Sequence, residues 1–309
     1  MVGSFAVAIL GLTDAAVVPI RLAVLFAGLL VAAVGDWRTR EVRDAVWIGM
    51  VVAGGVLFVV VDGSASWPLL GLSVLLIAFT LQHFVPWDRA FPHSPTLPLV
   101  VEVILYAVVV GVTVWAAFTL TPAPGAPFFA LLGSVILARL LFEAGLLYGG
   151  ADSKALMAVG VVLPVGIPPL LYSLPSTLST GFLGDFPFAF TVLVDGALLA
   201  LAVPLGIALH NLRRGDRRFP RMFLMYDLPT EELPRRYVWV RDPPQVSMED
   251  AETTEEDDRI RARQARELLA QGVQRVGVTP QVPLVSAFLG GAILGILVGN
   301  LLFLFLYFV

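Results

Sequence analysis

At 309 residues the chain is long enough for more than one unit, yet 58% of it is hydrophobic and only 14% is charged. A mean hydropathy of +0.86 exceeds what a soluble domain carries without aggregating, so the sequence is built for lipid. The net charge of −4 and the absence of cysteine leave no case for a basic nucleic-acid binder, a disulfide scaffold, a thiolate metal site or a cysteine nucleophile.

The apolar runs are long and unbroken, which excludes the alternation of a membrane β-barrel. Windows of spanning length fall at roughly 16–35, 45–61, 67–85, 97–120, 128–148, 154–173, 188–210 and 283–308. The expected fold is therefore an all-α polytopic membrane protein, a bundle of about eight transmembrane helices with a small cytoplasmic insertion before the last one. No basic n-region or A-x-A-like site precedes the first window, so it reads as an anchor rather than a cleaved signal peptide. Turn residues separate the windows, as in "DGSAS" (62–66) and "TPAPGAP" (121–127).

Orientation follows from the basic residues. Arg38, Arg40, Arg43, Arg89, Lys154, Arg213, Arg214, Arg217 and Arg218 all fall on one side, and the opposite loops (1–15, 62–66, 121–127, 174–187) hold neither lysine nor arginine. The positive side is expected to be cytoplasmic, with both termini outside.

Residues 211–282 differ in kind from the windows around them. "HNLRRGDRRFPRMF" leaves the last of the first seven windows as a basic collar suited to anionic lipid headgroups. "RRYVWVRD" (235–242) reads as one short strand, and "TTEEDDRIRARQARELLAQG" (253–272) as a capped helix ended by Gly272, with Glu255–Arg259 and Asp257–Arg261 at supporting spacing. The expected division is 1–210 as a transmembrane core, 211–282 as a cytoplasmic segment and 283–309 as a C-terminal transmembrane helix. Its thirteen acids match its thirteen arginines, so the segment is no nucleic-acid binder and reads first as solvated surface.

Charged groups in or beside membrane spans are costly and are read as functional by default. Asp36 ends the first window in "VAAVGDWRTREVRDAVWIGM" (31–50), and Asp152 sits in "LLYGGADSKALMAV" (146–159), at the same membrane face. Two carboxylates sharing a partly dry site separate in protonation state, one ionised and one neutral. The ionised one takes a proton from water attacking a peptide carbonyl, and the neutral one donates to the developing oxyanion, with no metal or covalent intermediate. Gly149 and Gly150 would let the backbone bend and leave room for an extended chain. Taken singly, each aspartate also has an ordinary explanation. Asp152 suits a helix N-cap, and Asp36 suits a headgroup-level carboxylate paired with Arg38 or Arg40.

Taken together, "GDWRTREVRDAVWI" resembles the first-aspartate motif of the archaeal preflagellin and prepilin peptidases, GxGD-type membrane aspartyl proteases of the type IV prepilin peptidase family. "GGADSKALM" resembles their second-aspartate motif, with Ala151 where GxGD has its second glycine. The resemblance implies Asp36 and Asp152 as the catalytic pair. It matches Asp44, Lys154, Arg38, Arg40 and Glu41 to charged positions of the two motifs, as supporting residues beside Gly149 and Gly150. It implies substrates that are precursors of archaellins and type IV pilins with class III (prepilin-like) signal peptides: a short basic leader ending in glycine, then an apolar helix. The expected site of cleavage is the cytoplasmic face of the cell membrane. Bacterial relatives also methylate the new N-terminus and carry a cysteine-rich domain; with no cysteine and no glycine-rich cofactor loop, protease activity alone is expected here.

The expected cofactors are none. His83, His93 and His210 form no HExxH frame, so no metal is expected. Membrane lipid is an expected partner, and the oligomeric state is not legible. The rival reading is a proton- or ion-coupled transporter using the intramembrane carboxylates Glu102, Glu143 and Asp195. No internal repeat of the transporter kind is visible, and Arg139 stands one turn from Glu143 as a simple intrahelical partner. Rhomboid-type proteolysis would need a GxSG motif, and presenilin-like proteolysis a Pro-Ala-Leu signature; neither is present.

Overall fold

A computed structural model describes residues 14–63, 66–84, 96–119, 122–147, 150–171, 186–242 and 254–308. Helix α1 (Asp14–Thr39) turns into α2 (Asp44–Val61), and an Arg21–Asp62 ion pair closes the far end of this hairpin. Helix α3 (Trp67–Gln82) starts on Ser66, whose hydroxyl accepts the Leu69 N–H at 3.4 Å, with a proline in its opening turn. Helices α4 (Thr96–Thr119) and α5 (Pro122–Glu143) follow.

Helix α6 (Gly150–Val162) is the centre of the bundle. Every residue from Ala155 to Val162 is buried, mainly against α2 and α5, as befits a helix that is apolar all round. It stops at Val162 because "LPVGIPP" supplies three prolines, which cannot continue the ladder. Leu170 and Leu171 then donate backbone bonds to the Ile296 and Leu297 carbonyls.

Helix α7 (Phe188–Ala200) runs past Leu201 into α8 (Ala202–Arg213). After a short α9 (Arg221–Leu224) come strand β1 (Tyr226–Pro229), a 3-10 turn (Thr230–Arg235), β2 (Val238–Asp242), helix α10 (Thr254–Ala270) and β3 (Arg275–Pro280). Two further helices, α11 (Leu284–Leu297) and α12 (Leu301–Phe308), end the described chain.

Among the described residues, five helices are long and apolar enough to cross a membrane: Ala16–Thr39, Asp44–Val61, Leu99–Ala116, Ala126–Glu143 and Phe188–Arg213. These coincide with five of the about eight expected windows. Window 67–85 yields only the 16 residues of α3, and window 154–173 is cut short by its prolines. Window 283–308 is broken between α11 and α12, where Gly299 takes φ +84, a conformation open to glycine.

The all-α expectation also needs correction, because β1, β3 and β2 form an antiparallel sheet in that spatial order. Strands of 4–6 residues rich in proline and charge give no alternation long enough to read. The sheet and α10 close over their own apolar cluster of Leu228, Leu233, Val238, Val240, Ala265, Leu268, Val276 and Val278. The anticipated strand and helix correspond to β2 and α10; in α10, Arg261 pairs with Asp258, and the side chains of Asp257 and Glu255, in the anticipated pairs, lie outside the described residues.

Helices α7 and α11 approach to backbone contact. A Cβ on Gly291 would stand 2.6 Å from both the Gly196 nitrogen and the Val192 oxygen, so only glycine fits this crossing.

Candidate active site

Four helix ends meet at one pole of the bundle: the end of α1 and the starts of α2, α6 and α11. Asp36 lies in the last turn of α1 and is buried. Helix α11 begins on Pro283, which offers no side-chain oxygen to its first N–H groups. Asp36 fills that role from another helix: its Oδ2 accepts the Val285 N–H at 3.1 Å. A carboxylate at a helix N-terminus is favoured by the unpaired N–H groups and by the helix dipole. Nearby, the Ser286 hydroxyl donates to the Ala33 carbonyl at 3.3 Å, fastening the same two helices.

Helix α1 ends because Arg40 takes φ 58, a left-handed conformation that costs a non-glycine residue on the order of 1–3 kcal/mol. The turn is tied down by the Arg40 N–H donating to the Asp36 carbonyl at 3.2 Å and by the Thr39 hydroxyl donating to Gly35 and Glu41 carbonyls. The Arg40 guanidinium lies over the Tyr237 ring, 5.2 Å from its centroid. Among the described residues, its Nε and Nη1 atoms are buried without a hydrogen-bond partner. Burial holds this guanidinium below its ordinary pKa, and the Asp36 charge pulls it back up. The expected surface pairing of Asp36 with Arg38 or Arg40 is therefore replaced by the α11 N-terminus as direct partner, with Arg40 acting through space.

Asp44 opens α2, where an acidic first turn complements the dipole, and the fully buried Trp47 anchors that turn in the core. Lys154, in the first turn of α6, donates to Asp44 Oδ1 at 2.6 Å. This pair joins the two sequence motifs across 110 residues. The Lys154 ammonium also lies 5.8 Å from the Phe84 ring centroid.

Asp152 precedes Lys154 by two residues and is half-buried. It sits inside the first turn of α6 rather than before it, so it is not an N-cap. Gly150 starts that helix, and among the described residues nothing lies within 4 Å of where its Cβ would be. Gly149 lies outside the described residues. Arg38 and Glu41 are exposed on the turn, and the Arg38 carbonyl accepts the Tyr237 hydroxyl at 3.0 Å. The contributions of Tyr237 and Val285 were not legible in the sequence, since one is a lone aromatic in a short strand-like stretch and the other acts through its backbone.

The carboxylates of the transporter reading are otherwise engaged. Arg139 bridges Glu102 at 3.2 Å and Glu143 at 2.8 Å, so it ties α4 to α5 besides pairing within its own helix. Asp195 is fully buried on α7, and its Oδ1 accepts the Leu301 N–H at 2.9 Å, capping α12 after the break. Among the described residues, no group of three or more histidine, aspartate or glutamate side chains is placed to hold a metal ion.

No family model matches the chain. Two curated proteins are similar to it. The preflagellin peptidase of Methanococcus voltae is 25% identical over 188 residues, covering 61% of this chain and 56% of that protein. The preflagellin peptidase of Methanococcus maripaludis is 25% identical over 190 residues, covering 62% of this chain and 58% of that protein. The matched region thus spans somewhat over half the length of either relative. These matches support assignment of the chain to the preflagellin/prepilin peptidase family, at a distance.

Proposed function

We propose that this protein is a membrane aspartyl endopeptidase that removes short basic leaders from archaellin-like or type IV pilin-like precursors. The observation that carries the reading is the Lys154–Asp44 ion pair, which links the second aspartate motif to the first at the pole where Asp36 lies. The two similar preflagellin peptidases support the reaction class.

In this mechanism the substrate peptide lies between Asp36 and Asp152. The ionised carboxylate takes a proton from water as it attacks the scissile carbonyl, the neutral one donates to the developing oxyanion, and the proton taken from water passes to the departing amine as the intermediate collapses. Asp44 and Lys154 hold the starts of α2 and α6 in register. The Val285 N–H orients Asp36, and Glu41 on the exposed turn attracts the basic leader. The pole faces the cytoplasm of the cell membrane, and residues 211–282 form a cytoplasmic unit between a core of 1–210 and the last membrane segment, 283–309. Arg213, Arg214, Arg217 and Arg218 rest on anionic headgroups. A precursor whose apolar helix is embedded in the same bilayer presents its leader junction at this height.

The test is incubation of proteoliposomes containing the protein with a precursor made of a basic leader, glycine and an apolar helix, followed by mass measurement of the products. A single cut after the glycine, absent from empty liposomes, is expected. Intact precursor across several leaders would remove the reading.

A further inference from the structure

We propose that Tyr237, in the small α/β unit, is a positioning residue for the Asp36 carboxyl. The proposal rests on the peptidase reading above and assigns to the segment at 211–282 a part in the same site.

Two backbone arms hold Asp36, and Tyr237 grips both. The first arm is the Arg38–Arg40 turn that ends α1. The Tyr237 hydroxyl donates to the Arg38 carbonyl at 3.0 Å, and the Arg40 guanidinium lies 5.2 Å from the ring centroid. The second arm is the lead-in to α11, whose Val285 N–H binds Asp36 Oδ2. There the Gln281 N–H donates to the Tyr237 carbonyl at 3.0 Å, four residues before Val285. Arg261 of α10 also lies 5.1 Å from the same centroid and is itself buried and paired with Asp258. The ring is therefore in contact with a guanidinium of the membrane helix pair and one of the α/β unit.

This arrangement accounts for three features otherwise unconnected. Arg40 holds a left-handed backbone that needs outside support, and Tyr237 supplies it from both the carbonyl before and the guanidinium after. The α/β unit has its own small core, so it presents Tyr237 from a fixed frame rather than a loose loop. Strand β3 runs within three residues into α11, so a shift of the sheet moves the donor to Asp36 as well. Displacement of a reacting carboxylate by a fraction of an ångström lowers turnover much more than binding.

The test compares Tyr237→Phe and Tyr237→Leu with wild type in the full-length protein. Cleavage of the basic-leader precursor gives kcat and KM; trypsin cutting at Arg38, Arg40 and Arg43 reports the turn directly, whatever the peptidase activity. Tyr237→Phe keeps the ring contacts with the guanidiniums and loses one hydrogen bond, so kcat is expected to fall about 2–10-fold with KM within about twofold. Tyr237→Leu loses both contacts, with kcat expected to fall about 10–100-fold and trypsin cutting of the turn to quicken in the same order. Circular dichroism checks that both variants retain the sheet. A Leu variant with wild-type kcat, or a turn equally protected in all three proteins, overturns the proposal. If wild type cuts no precursor while trypsin still separates the variants, the peptidase reading has failed and the clamp has not.

Discussion

The α7–α11 crossing gives a prediction whose size can be worked from geometry. In Gly291→Ala the new Cβ would stand 2.6 Å from two backbone atoms, whereas ordinary contacts begin near 3.4 Å. Backbone cannot rotate aside as a side chain can, so the helices must part by about 0.8 Å, the difference between those distances. Overpacking of this kind costs about 1–3 kcal/mol. Alanine also raises helix propensity, which confuses a single measurement. Gly206, within helix α8, provides the correction, since nothing lies within 4 Å of its Cβ position among the described residues. Comparing Gly291→Ala with Gly206→Ala cancels the propensity gain and leaves the overpacking. At about 2–4 °C per kcal/mol, the Gly291 variant should melt roughly 2–12 °C below the Gly206 variant in one detergent at one scan rate. Because α11 also carries the Val285 donor to Asp36, precursor cleavage should fall with Gly291→Ala and hold with Gly206→Ala. Equal melting temperatures would refute the reasoning, for they would mean that these helices do not meet at backbone distance.

Three other predictions follow from single interactions. The Lys154–Asp44 side chains are 23% and 50% exposed, so water screens the pair and a double-mutant cycle should give a coupling of only about 0.2–1 kcal/mol in stability; each single charge removal should nonetheless depress cleavage, and the swap Asp44→Lys with Lys154→Asp should recover part of it, whereas no recovery would assign Asp44 to substrate contact. Asp195→Ala leaves the half-buried Leu301 N–H without its acceptor, at about 1–3 kcal/mol, while Asp195→Asn keeps an acceptor and most of the stability; abolition of a proton flux by the Asn variant would instead favour the transporter reading. Arg218 side-chain and backbone donors hold the exposed Asp216 carboxyl down to about 2. Its folded-state pKa is thus depressed, so whatever it adds to the collar turn is complete above the ordinary carboxylate value of 3.8 and is lost as pH falls toward 2. Titration of Asp216→Asn beside wild type by NMR should remove that acid transition and leave the neutral-pH spectrum of the turn alone.

What the sequence made legible was local and lay in composition or tight motifs. The first and second windows are α1 and α2 to within a few residues because a charged turn separates two unbroken apolar runs. The charged residues of both motifs were also readable, since a carboxylate beside a membrane span stands out against its surroundings. Less visible was everything that depends on distant partners. The N-terminus of α11 is uncapped by its own Pro283, and nothing in "VPLVS" announces that Asp36 completes it. The Arg21–Asp62 and Arg139–Glu102 pairs join helices far apart in sequence, so spacing could not suggest them. Interruptions inside the windows were hidden as well: proline ends α6, and a glycine with Asn300 breaks the last window. The sheet was missed because its central strand, β3, pairs with β1 and β2 across the whole of α10.

The central claim is that Asp36 and Asp152 act together on a peptide bond. Its most direct measurement is the kcat for leader removal by purified Asp36→Asn and Asp152→Asn, each matched to wild type in protein level and melting temperature. The account predicts that either substitution alone lowers kcat by about 10²–10⁴-fold, because an amide can neither accept the water proton nor donate one. Cleavage at the wild-type rate by either variant would contradict it.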